Sequence, residues 1–289
     1  MADIRKRLDE NTPGEFFVDS TCIDCDTCRE IAPQTFYSIG DYSAVHAQPS
    51  KSDEEHLALM ALVACPTGSI GTLTKHDLSK ARTAFPLQIE ENVYYCGFVS
   101  QKSYGGSSYF YRSEHGNWLI DSPKYMPELA ERFEAMGGIQ HIFLTHRDDV
   151  ADADRYAKRF GATRHIHVLE RSAQPEAEDQ FSGFAPIELA PDVLAIPTPG
   201  HTRGHTVLLV DNKYLFTGDH LWFSRTKGAL SASRSVCWYD WSEQVRSLRK
   251  LLDFDFEWVL PGHGTKYHLP QEGMRAALVG LLHRIDPAD

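Results

Sequence analysis

The chain has 289 residues, a formal net charge of −11 at pH 7 and 42% hydrophobic residues. This length is enough for one small domain and one of about 200 residues, each with its own core. The acidic balance argues against nucleic acids and anionic membranes as partners. The longest apolar stretch, residues 57–65, is far shorter than the roughly 20 residues that span a bilayer, and no signal peptide precedes it. We therefore expect a cytoplasmic protein that binds neither nucleic acid nor membrane.

Four of the six cysteines form the first informative pattern. Cys22, Cys25 and Cys28 are spaced Cys-x2-Cys-x2-Cys, and Cys65 is followed by Pro66. Cysteines at this spacing bind soft metals in several ways, but zinc sites usually pair two Cys-x-x-Cys motifs. Disulfides are not expected without a signal peptide. Three close cysteines and a later Cys-Pro are typical of iron–sulfur ligation.

Residues 14–74 resemble a single-cluster bacterial-type ferredoxin on the strength of this pattern. A two-cluster ferredoxin has a further cysteine at the position occupied here by Ala32. The resemblance implies one [4Fe–4S] cluster held by Cys22, Cys25, Cys28 and Cys65, and hence electron transfer. Asp24 and Asp26 lie between the ligands, either as turn residues or as charges that disfavour the reduced cluster and lower its potential.

The first half of the chain also contains one clear helix. Residues 52–55, Ser-Asp-Glu-Glu, are typical of a capping box opening a helix that runs to about Ala64 and carries Cys65 to the cluster. Residues 72–86 carry mixed charges and end at Pro86, which indicates a linker. We predict a ferredoxin-like domain over residues 1–74, a linker over 75–86 and a second domain over 87–289.

The second domain alternates predicted strands and helices. Strands are predicted near residues 88–99, 107–113, 117–121, 139–145, 164–169, 193–198, 206–210, 213–217 and 258–260, with a hairpin turn at 114–117. Helices are predicted near 127–136, 150–160, 242–252 and 270–285. Strands followed by helices occur in both the first and the second half of this domain, which indicates two sheets packed face to face with helices outside.

Four short motifs follow apolar strands of this domain. They are Leu-Thr-His-Arg-Asp-Asp-Val at 144–150, Thr-Pro-Gly-His-Thr-Arg-Gly-His-Thr at 198–206, Thr-Gly-Asp-His at 217–220 and Leu-Pro-Gly-His-Gly at 260–264. Each places a His or Asp where a loop can aim it into a shared cleft. In this order they resemble the metallo-β-lactamase superfamily over residues 87–268. The resemblance implies an α+β chain in which a ferredoxin-like domain precedes an αββα sandwich with metal at one edge.

The first motif departs from the family pattern Thr-His-x-His-x-Asp-His. His146 matches the first ligand, and Asp148 stands in place of the second histidine. Val150 and Ala151 replace the Asp-His pair that serves the second metal site. Asp149 is predicted to be a helix N-cap. A dinuclear zinc centre is therefore not expected.

The other motifs keep His201, Asp219 and His263 at the family's ligand positions, and His205 is expected to orient the loop or a ligand. The resemblance implies at most one metal ion, with candidate ligands His146, Asp148, His201, Asp219 and His263 and with Asp219 and Asp148 as catalytic carboxylates. Two imidazoles and one carboxylate are also the ligand set of non-haem iron(II) enzymes. Zinc would accept the same set, so ligand type leaves the choice between Zn and Fe open. The alternative is a metal-free cleft.

The segment 221–241 is rich in aromatic and cationic residues and either faces the substrate or packs the loop in place. It suggests an anionic or aromatic small molecule as substrate, and the acidic surface leaves a redox protein as a second partner. The principal prediction is a metal-dependent, hydrolase-like enzyme with its own electron-transfer domain. A non-haem iron oxidoreductase fed by the cluster is the first alternative, because hydrolysis needs no electrons. A metal-free redox-sensing or electron-transfer module is the second.

Overall fold

The computed structural model describes residues 2–286, which fall into two compact units. The first contains the residues up to Phe110 together with Pro123–Gly138, and the second contains Tyr111–Ser122 and the residues from Ile139 onward. Within the described residues, no helix is both long enough and apolar enough to cross a bilayer.

The cysteine-rich part of the first unit consists of two small hairpin-like pairs and two helices. Strand β1 (Phe16–Val18) pairs antiparallel with β4 (Ile70–Thr72), and β2 (Phe36–Ser38) pairs antiparallel with β3 (Ser43–Val45). Helix α1 (Thr27–Ile31) packs against α2 (Ser52–Ala64). A 3₁₀ turn at Ile4–Lys6 precedes these elements.

Helix α2 has the predicted bounds but a different cap. Its N-cap is Lys51, without a side-chain capping bond. The oxygen Oε2 of Glu54 instead accepts hydrogen bonds from the backbone N and the hydroxyl of Ser50, at 2.9 and 3.0 Å. The predicted capping box at residues 52–55 is therefore wrong, and both bonds run from Ser50 to Glu54. The helix ends at Ala64, and the N–H of Cys65 caps it by bonding to the carbonyl of Ala61.

The remaining elements of the first unit follow in chain order. They are α3 (Ser79–Thr83), β5 (Leu87–Glu90), β6 (Val93–Tyr95), a 3₁₀ turn (Gln101–Ser103) and α4 (Pro127–Ala135). Tyr111–Ser122, which precede α4, belong to the second unit. The single strand predicted over 88–99 is wrong: β5 and β6 form an antiparallel hairpin, with Glu91 in the left-handed region at φ 42°. Strand β7 (Tyr109–Tyr111) marks the passage of the chain into the second unit.

The second unit begins with four parallel strands. They lie in the order β8 (Trp118–Ile120), β9 (His141–Leu144), β10 (Thr163–His167) and β11 (Asp179–Phe181). Helix α5 (Ala153–Phe160) connects β9 to β10, buries Ala153, Tyr156 and Ala157, and ends at Gly161. A 3₁₀ segment, Val168–Ala173, follows β10.

A second, six-stranded sheet completes this unit. Its order is β12 (Ile187–Ala190), β13 (Val193–Pro197), β14 (Thr206–Val210), β15 (Tyr214–Gly218), β18 (Trp258–Pro261) and β19 (Tyr267–His268). A separate hairpin, β16 (Trp222–Ser224) and β17 (Ala229–Ser231), precedes α6 (Trp241–Lys250), and α7 (Gln271–Ile285) ends the description. Short 3₁₀ turns lie at Arg234–Val236 and Leu251–Asp253.

The core of this unit explains why β14 and β15 are continuous apolar runs. One face of the sheet packs with α6 and α7, which contribute Leu248 and Leu278 to a buried cluster with Val207. Leu208 and Phe216, which adjoin residues of that cluster and so point to the other face, are also buried. A sheet buried on both faces requires apolar residues at every position. The polar residues that follow the strands therefore stand out as loop residues placed at strand ends.

Candidate functional site

The four cysteines predicted to hold the cluster line one pocket in the first unit. Cys22 and Cys25 precede α1, Cys28 lies in its first turn, and Cys65 follows the last residue of α2. None of these four cysteines forms a disulfide. The C-cap of α1 is Ala32, the position at which a second cluster would need a cysteine. The arrangement matches one cluster and four ligands.

Backbone amides point at the cysteine sulfurs. The Sγ of Cys22 accepts from the N–H groups of Asp24 and Ser43 at 3.5 and 3.4 Å, and the Sγ of Cys65 accepts from the N–H of Ser69 at 3.3 Å. Hydrogen bonds of this kind favour the more negative, reduced cluster and raise its potential. They are a cluster-tuning feature that the sequence pattern does not reveal.

The aspartates between the ligands are not free charges. Arg29 bonds to both, with Nη1 2.6 Å from Oδ1 of Asp24 and Nε 2.5 Å from Oδ1 of Asp26. Both aspartates also have positive φ, as turn residues do. The positive φ values agree with the turn interpretation. One guanidinium offsets only part of the two negative charges, so their effect on the cluster potential stays a prediction.

A loop outside the cysteine motif touches the cluster site. A Cβ placed on Gly105 would lie 2.4 Å from Cβ and 2.9 Å from Sγ of Cys25. Gly105 has φ +86° and is held by a bond from its N–H to the carbonyl of Ser100 at 2.8 Å. The chain after β6 therefore forms part of the wall around Cys25, and only glycine fits at this point.

The second candidate site lies at the ends of four strands in the second unit. His146 follows β9, His201 follows β13, Asp219 follows β15 and His263 follows β18. The loops are joined by backbone bonds, including Thr206 N to Thr145 O at 2.9 Å and Gly262 N to Gly218 O at 2.8 Å. The strand ends thus bring residues far apart in sequence to one edge.

The five predicted metal ligands are brought together. The Oδ2 of Asp219 lies 3.8 Å from Nε2 of His146, 3.7 Å from Nε2 of His201 and 3.8 Å from Nε2 of His263. The Oδ2 of Asp148 lies 3.9 Å from Nε2 of both His146 and His201. These distances are too long for hydrogen bonds. Two ligands about 2.1 Å from one ion, at tetrahedral or wider angles, are about 3.4–4.2 Å apart.

Several polar atoms at this edge are buried and have no hydrogen-bond partner among the described residues. They are Nε2 of His146, Nε2 of His201, both carboxylate oxygens of Asp149 and Oδ1 of Asp219. Buried polar groups are normally satisfied, so a group of such atoms facing one another needs an explanation. A cation bound among them would supply it. The residues present therefore fit a metal ion.

Asp149 belongs to this site and does not cap α5. The helix N-cap is Asp152, whereas Asp149 is buried with its carboxylate beside that of Asp219. A Cβ on Gly262 would lie 2.6 Å from Oδ2 of Asp149 and 2.7 Å from Oδ1 of Asp219, which shows how close the two carboxylates come. Ala151 lies at φ 31°, outside helical geometry, and the helix begins only at Ala153. The prediction that Asp149 caps the helix is thus wrong, whereas Asp148 stays a predicted ligand beside His146 and His201.

Two groups of three side chains could each hold an ion. One is His146, Asp148 and His201, and the other is His146, Asp149 and Asp219, with the ligand atoms of each group within 4.8 Å of one another. Both groups share His146, whose Nε2 can bind one ion at a time. They therefore describe alternative ligand sets that both include His146.

Hydrogen bonds on the far ring nitrogens prepare both histidines as ligands. The Nδ1 of His201 lies 2.5 Å from the carbonyl oxygen of Val236. Because a carbonyl only accepts, Nδ1 carries the proton and Nε2 presents its lone pair. The Nδ1 of His146 lies 3.0 Å from the hydroxyl of Thr145, which donates to the buried carboxylate of Asp121 at 2.9 Å.

Burial sets the charge states of the centre. It lowers the pKa of His146 to about 3, so this imidazole is neutral and ready to bind metal at neutral pH. Burial also raises the pKa of Asp149 well above its usual value, with the charge of Asp219 adding to the effect. Burial tends to raise the pKa of Asp219 too, but the nearby His263, His146 and His201 lower it overall. A bound cation would favour the ionised form of Asp149.

A fully buried glutamate is hydrogen-bonded to the two loops that carry His146 and His201. Oε1 of Glu170 accepts from the backbone N–H of Gly204 at 2.6 Å, and Oε2 accepts from the backbone N–H of Arg147 at 3.2 Å. The first amide belongs to the loop of His201, and the second adjoins His146. Glu170 itself is 0% exposed. Its carboxylate therefore links the two histidine loops through their backbones.

The neighbouring histidines have supporting positions. His205 is buried, and its Nδ1 lies 3.0 Å from the hydroxyl of Thr198. This contact joins the two ends of the loop at residues 199–204. His205 thus orients the loop, as expected, with no direct bond to a ligand. His220 is buried and its ring stacks on His205 at 5.2 Å between centroids.

In the aromatic segment 221–241, the first residues pack against neighbouring residues of the fold, and Trp238 is exposed. Trp222 lies against Gly264, and Phe223 stacks on Tyr267 at 4.0 Å. Trp238 is 62% exposed, and its ring centroid is 6.2 Å from that of His201. The packing interpretation holds for the start of the segment, whereas Trp238 remains available beside the candidate metal ligands.

Sequence reasoning missed three residues of this site. Asp121 follows β8 directly and Asp149 lies within the first motif, so the rule that polar residues at strand ends mark a site could have found both. Glu170 lies in a 3₁₀ segment with no motif around it. Only the folded chain shows that it joins two loops.

Comparison with known proteins finds one family model and two relatives that match parts of the chain. The family model for the 4Fe-4S single cluster domain of ferredoxin I matches residues 18–72. The uncharacterized protein YobT of Bacillus subtilis (strain 168) is 28% identical, over 48% of this chain and 73% of that protein. The beta-lactamase-like protein 2 homolog of Drosophila melanogaster is 32% identical, over 27% of this chain and 24% of that protein.

Solved structures resemble the chain at the level of fold. The metallo-β-lactamase FIM-1 from Pseudomonas aeruginosa, in its mono-zinc form, has a TM-score of 0.51 at 16% identity and covers 68% of this chain and 93% of that one. The metallo-β-lactamase DIM-1 exposed to ceftazidime has a TM-score of 0.50 at 15% identity, covering 68% and 95%. The predicted fold class is confirmed. The chain joins an N-terminal ferredoxin-type 4Fe-4S domain to a domain with the metallo-β-lactamase fold.

Proposed function

We propose that this protein is a metal-dependent enzyme of the hydrolase type, with a single metal ion at the strand-end site and its own 4Fe-4S electron-transfer domain. The observation that carries the proposal is the group of buried, unpaired donor atoms of His146, His201, Asp149 and Asp219. Because both possible ligand groups need His146, one ion is favoured over two. The mono-zinc form of FIM-1, which shares the fold, gives this stoichiometry a structural parallel.

The proposed reaction is the attack of water on an ester, thioester or lactone carbonyl. Water adds to the carbonyl carbon, the C–O or C–S bond breaks, and the alcohol or thiol leaves with a proton. A bound zinc ion supplies a water whose pKa lies near 7 and polarises the carbonyl. Asp148 is 52% exposed beside His146 and His201, so it is placed to accept the proton of the attacking water. Asp219, mostly buried, holds the imidazoles in place by its charge.

Metal analysis of anaerobically purified protein tests this proposal, together with turnover of p-nitrophenyl acetate. We expect one zinc beyond the irons of the cluster, and loss of both zinc and esterase activity in His146→Ala. His115→Ala is the control, because His115 is exposed and lies outside the site. Esterase activity that survives in both His146→Ala and Asp219→Ala would contradict the hydrolase assignment.

The second candidate is a mononuclear non-haem iron oxidoreductase. Two observations favour it: two imidazoles with nearby carboxylates, the donor set of non-haem iron(II) sites, and a cluster domain in the same chain, which hydrolysis does not need. In this case the extra metal is iron, detectable by EPR, and it disappears in His146→Ala. Turnover should then fall in Cys25→Ser whatever electron donor is used. Cluster iron with no further metal in either form would instead support the metal-free redox module.

The proposed partners follow from the surface around the centre. The exposed ring of Trp238 beside His201 suits a small substrate with an aromatic or apolar body. The net charge of −11 suits a basic redox protein as electron partner and disfavours nucleic acid and anionic membranes.

A further inference from the structure

A cleft of about 530 Å³ lies in the second unit, next to the loop that carries His201. Phe184 and Tyr239 line it and are 53% and 48% exposed, and Pro197 and Pro199 add apolar surface. The volume falls within the range of small-molecule sites. None of the donor atoms of the candidate metal centre lines this cleft.

The charges in the cleft are unbalanced toward positive. Arg203, Arg246 and Lys250 line it, and the one acidic lining residue, Glu243, is hydrogen-bonded to Arg246. In the described part of the chain no hydrogen bond or ion pair engages the Arg203 side chain, which is exposed. On a protein with a net charge of −11, a cleft with this excess of positive charge stands out.

Lys250 is anchored so that one donor remains. Its Nζ donates to the carbonyl oxygens of Phe184 at 2.8 Å and Pro197 at 3.1 Å. An ammonium has three N–H donors, so one is left for a ligand. The two bonds fix the position of Nζ in the cleft, which lowers the entropic cost of using it. The hydroxyl of Ser247 likewise holds the carbonyl of Pro199, at 2.7 Å.

We propose that this cleft binds a small aromatic anion, with its carboxylate or phosphate on Arg203 and Lys250 and its ring against Phe184 and Tyr239. A guanidinium and a fixed ammonium are the donors that carboxylates and phosphates select. The two exposed aromatic side chains offer flat apolar surface for a ring. The site is separate from the metal centre, although the loop between Pro199 and Arg203 contributes to both.

Isothermal titration of the full-length protein with benzoate and with phenyl phosphate tests the proposal and shows which anion the cleft prefers. We expect one site per chain, weakened by added salt and absent for the neutral benzyl alcohol. Arg203→Gln should weaken binding about tenfold or more, with Arg203→Lys recovering part of it. Phe184→Ala should weaken both aromatic anions but not inorganic phosphate. Arg171→Gln, an exposed position outside the cleft, should change nothing.

Three results would overturn the proposal. The first is wild-type binding of neither anion. The second is equal affinity in wild type and Arg203→Gln. The third is binding lost in His146→Ala, which would assign the anion to the metal centre instead. Binding that persists in His146→Ala supports the separate cleft, whatever the metal analysis shows about the proposed reaction.

Discussion

Glu170 offers the sharpest test of how the fold builds the metal centre. Its two carboxylate oxygens accept from the amides of Gly204 and Arg147; the bond from Gly204 is buried and the bond from Arg147 is partly buried. In Glu170→Gln one oxygen becomes an NH₂ group, so one of the two amides loses its acceptor. A buried unpaired donor costs about 1–3 kcal/mol, and Glu170→Ala should cost more than Glu170→Gln because both amides lose their acceptor.

The assay is urea denaturation followed by tryptophan fluorescence. All five tryptophans of the chain lie in the second unit, so the signal reports the unit that contains Glu170. We expect a lower midpoint with an unchanged slope. Metal affinity, measured by competition with a chelator, should also fall by about tenfold or more, because the His146 and His201 loops are no longer tied together. Glu188→Gln is the matched control at an exposed position and should shift stability by less than about 0.5 kcal/mol.

A Glu170→Gln protein with unchanged midpoint and unchanged metal affinity would refute this reasoning. Lower stability with unchanged affinity would limit Glu170 to a structural role.

Three further predictions concern the cluster, the metal and pH. Gly105→Ala should reduce the visible absorption of the cluster, because the new Cβ would overlap the Cys25 side chain. Gly40→Ala is the control and should keep the absorption, because Gly40 has a similar φ and no atom within 4 Å of its added Cβ. Equal loss of absorption in both variants would implicate backbone strain alone. Asp149→Asn should bind metal more weakly and release fewer protons per ion than wild type in calorimetry across buffers, because burial raises the pKa of Asp149 and a bound ion favours its ionised form. The hydrogen bond from Arg164 lowers the pKa of Glu178 to about 2, so this carboxylate stabilises the fold above its ordinary pKa and the effect is lost as the pH falls toward 2. The denaturation midpoints of wild type and Glu178→Gln should therefore converge in acid. The difference between them at higher pH should be small, because the Glu178 side chain is 46% exposed. Midpoint curves that stay parallel across the pH range would contradict this.

The cysteine spacing and the strand-end motifs could be interpreted without a structure because each is local. Cys22, Cys25 and Cys28 must lie together whatever the rest of the chain does, and the final helix has apolar residues at helical spacing. The four His and Asp motifs predicted one site because apolar strands of a layered fold end at common edges. These local patterns account for most helix and strand positions found in the structure.

The first motif shows where local reasoning ends. Asp148 and Asp149 are adjacent acids before a helix, and their sequence supports either capping or ligation. The choice depends on where the helix starts, and that is set by Ala153 and Tyr156 packing into the core. Because N-capping needs no distant partner, it was the natural local prediction for Asp149. The neighbouring Asp219 and Gly262 come from strands more than 60 residues later in the chain.

Contacts seen only in the structure decided the roles of other charged residues. Arg29 forms ion pairs with both aspartates of the cluster motif. Glu170 meets its two amides only because β10 delivers it beside the loops after β9 and β13.

The sequence by itself was enough to recognise the ferredoxin-type part and the metallo-β-lactamase-fold part, and to predict four cluster cysteines and a group of His and Asp residues at strand ends, because the motifs that carry these predictions are local. Only the tertiary structure decided that Asp149 faces the metal centre, that Glu170 joins its loops and that a cationic cleft lies beside them. Each of these depends on contacts between segments remote in sequence, and no local pattern encodes them.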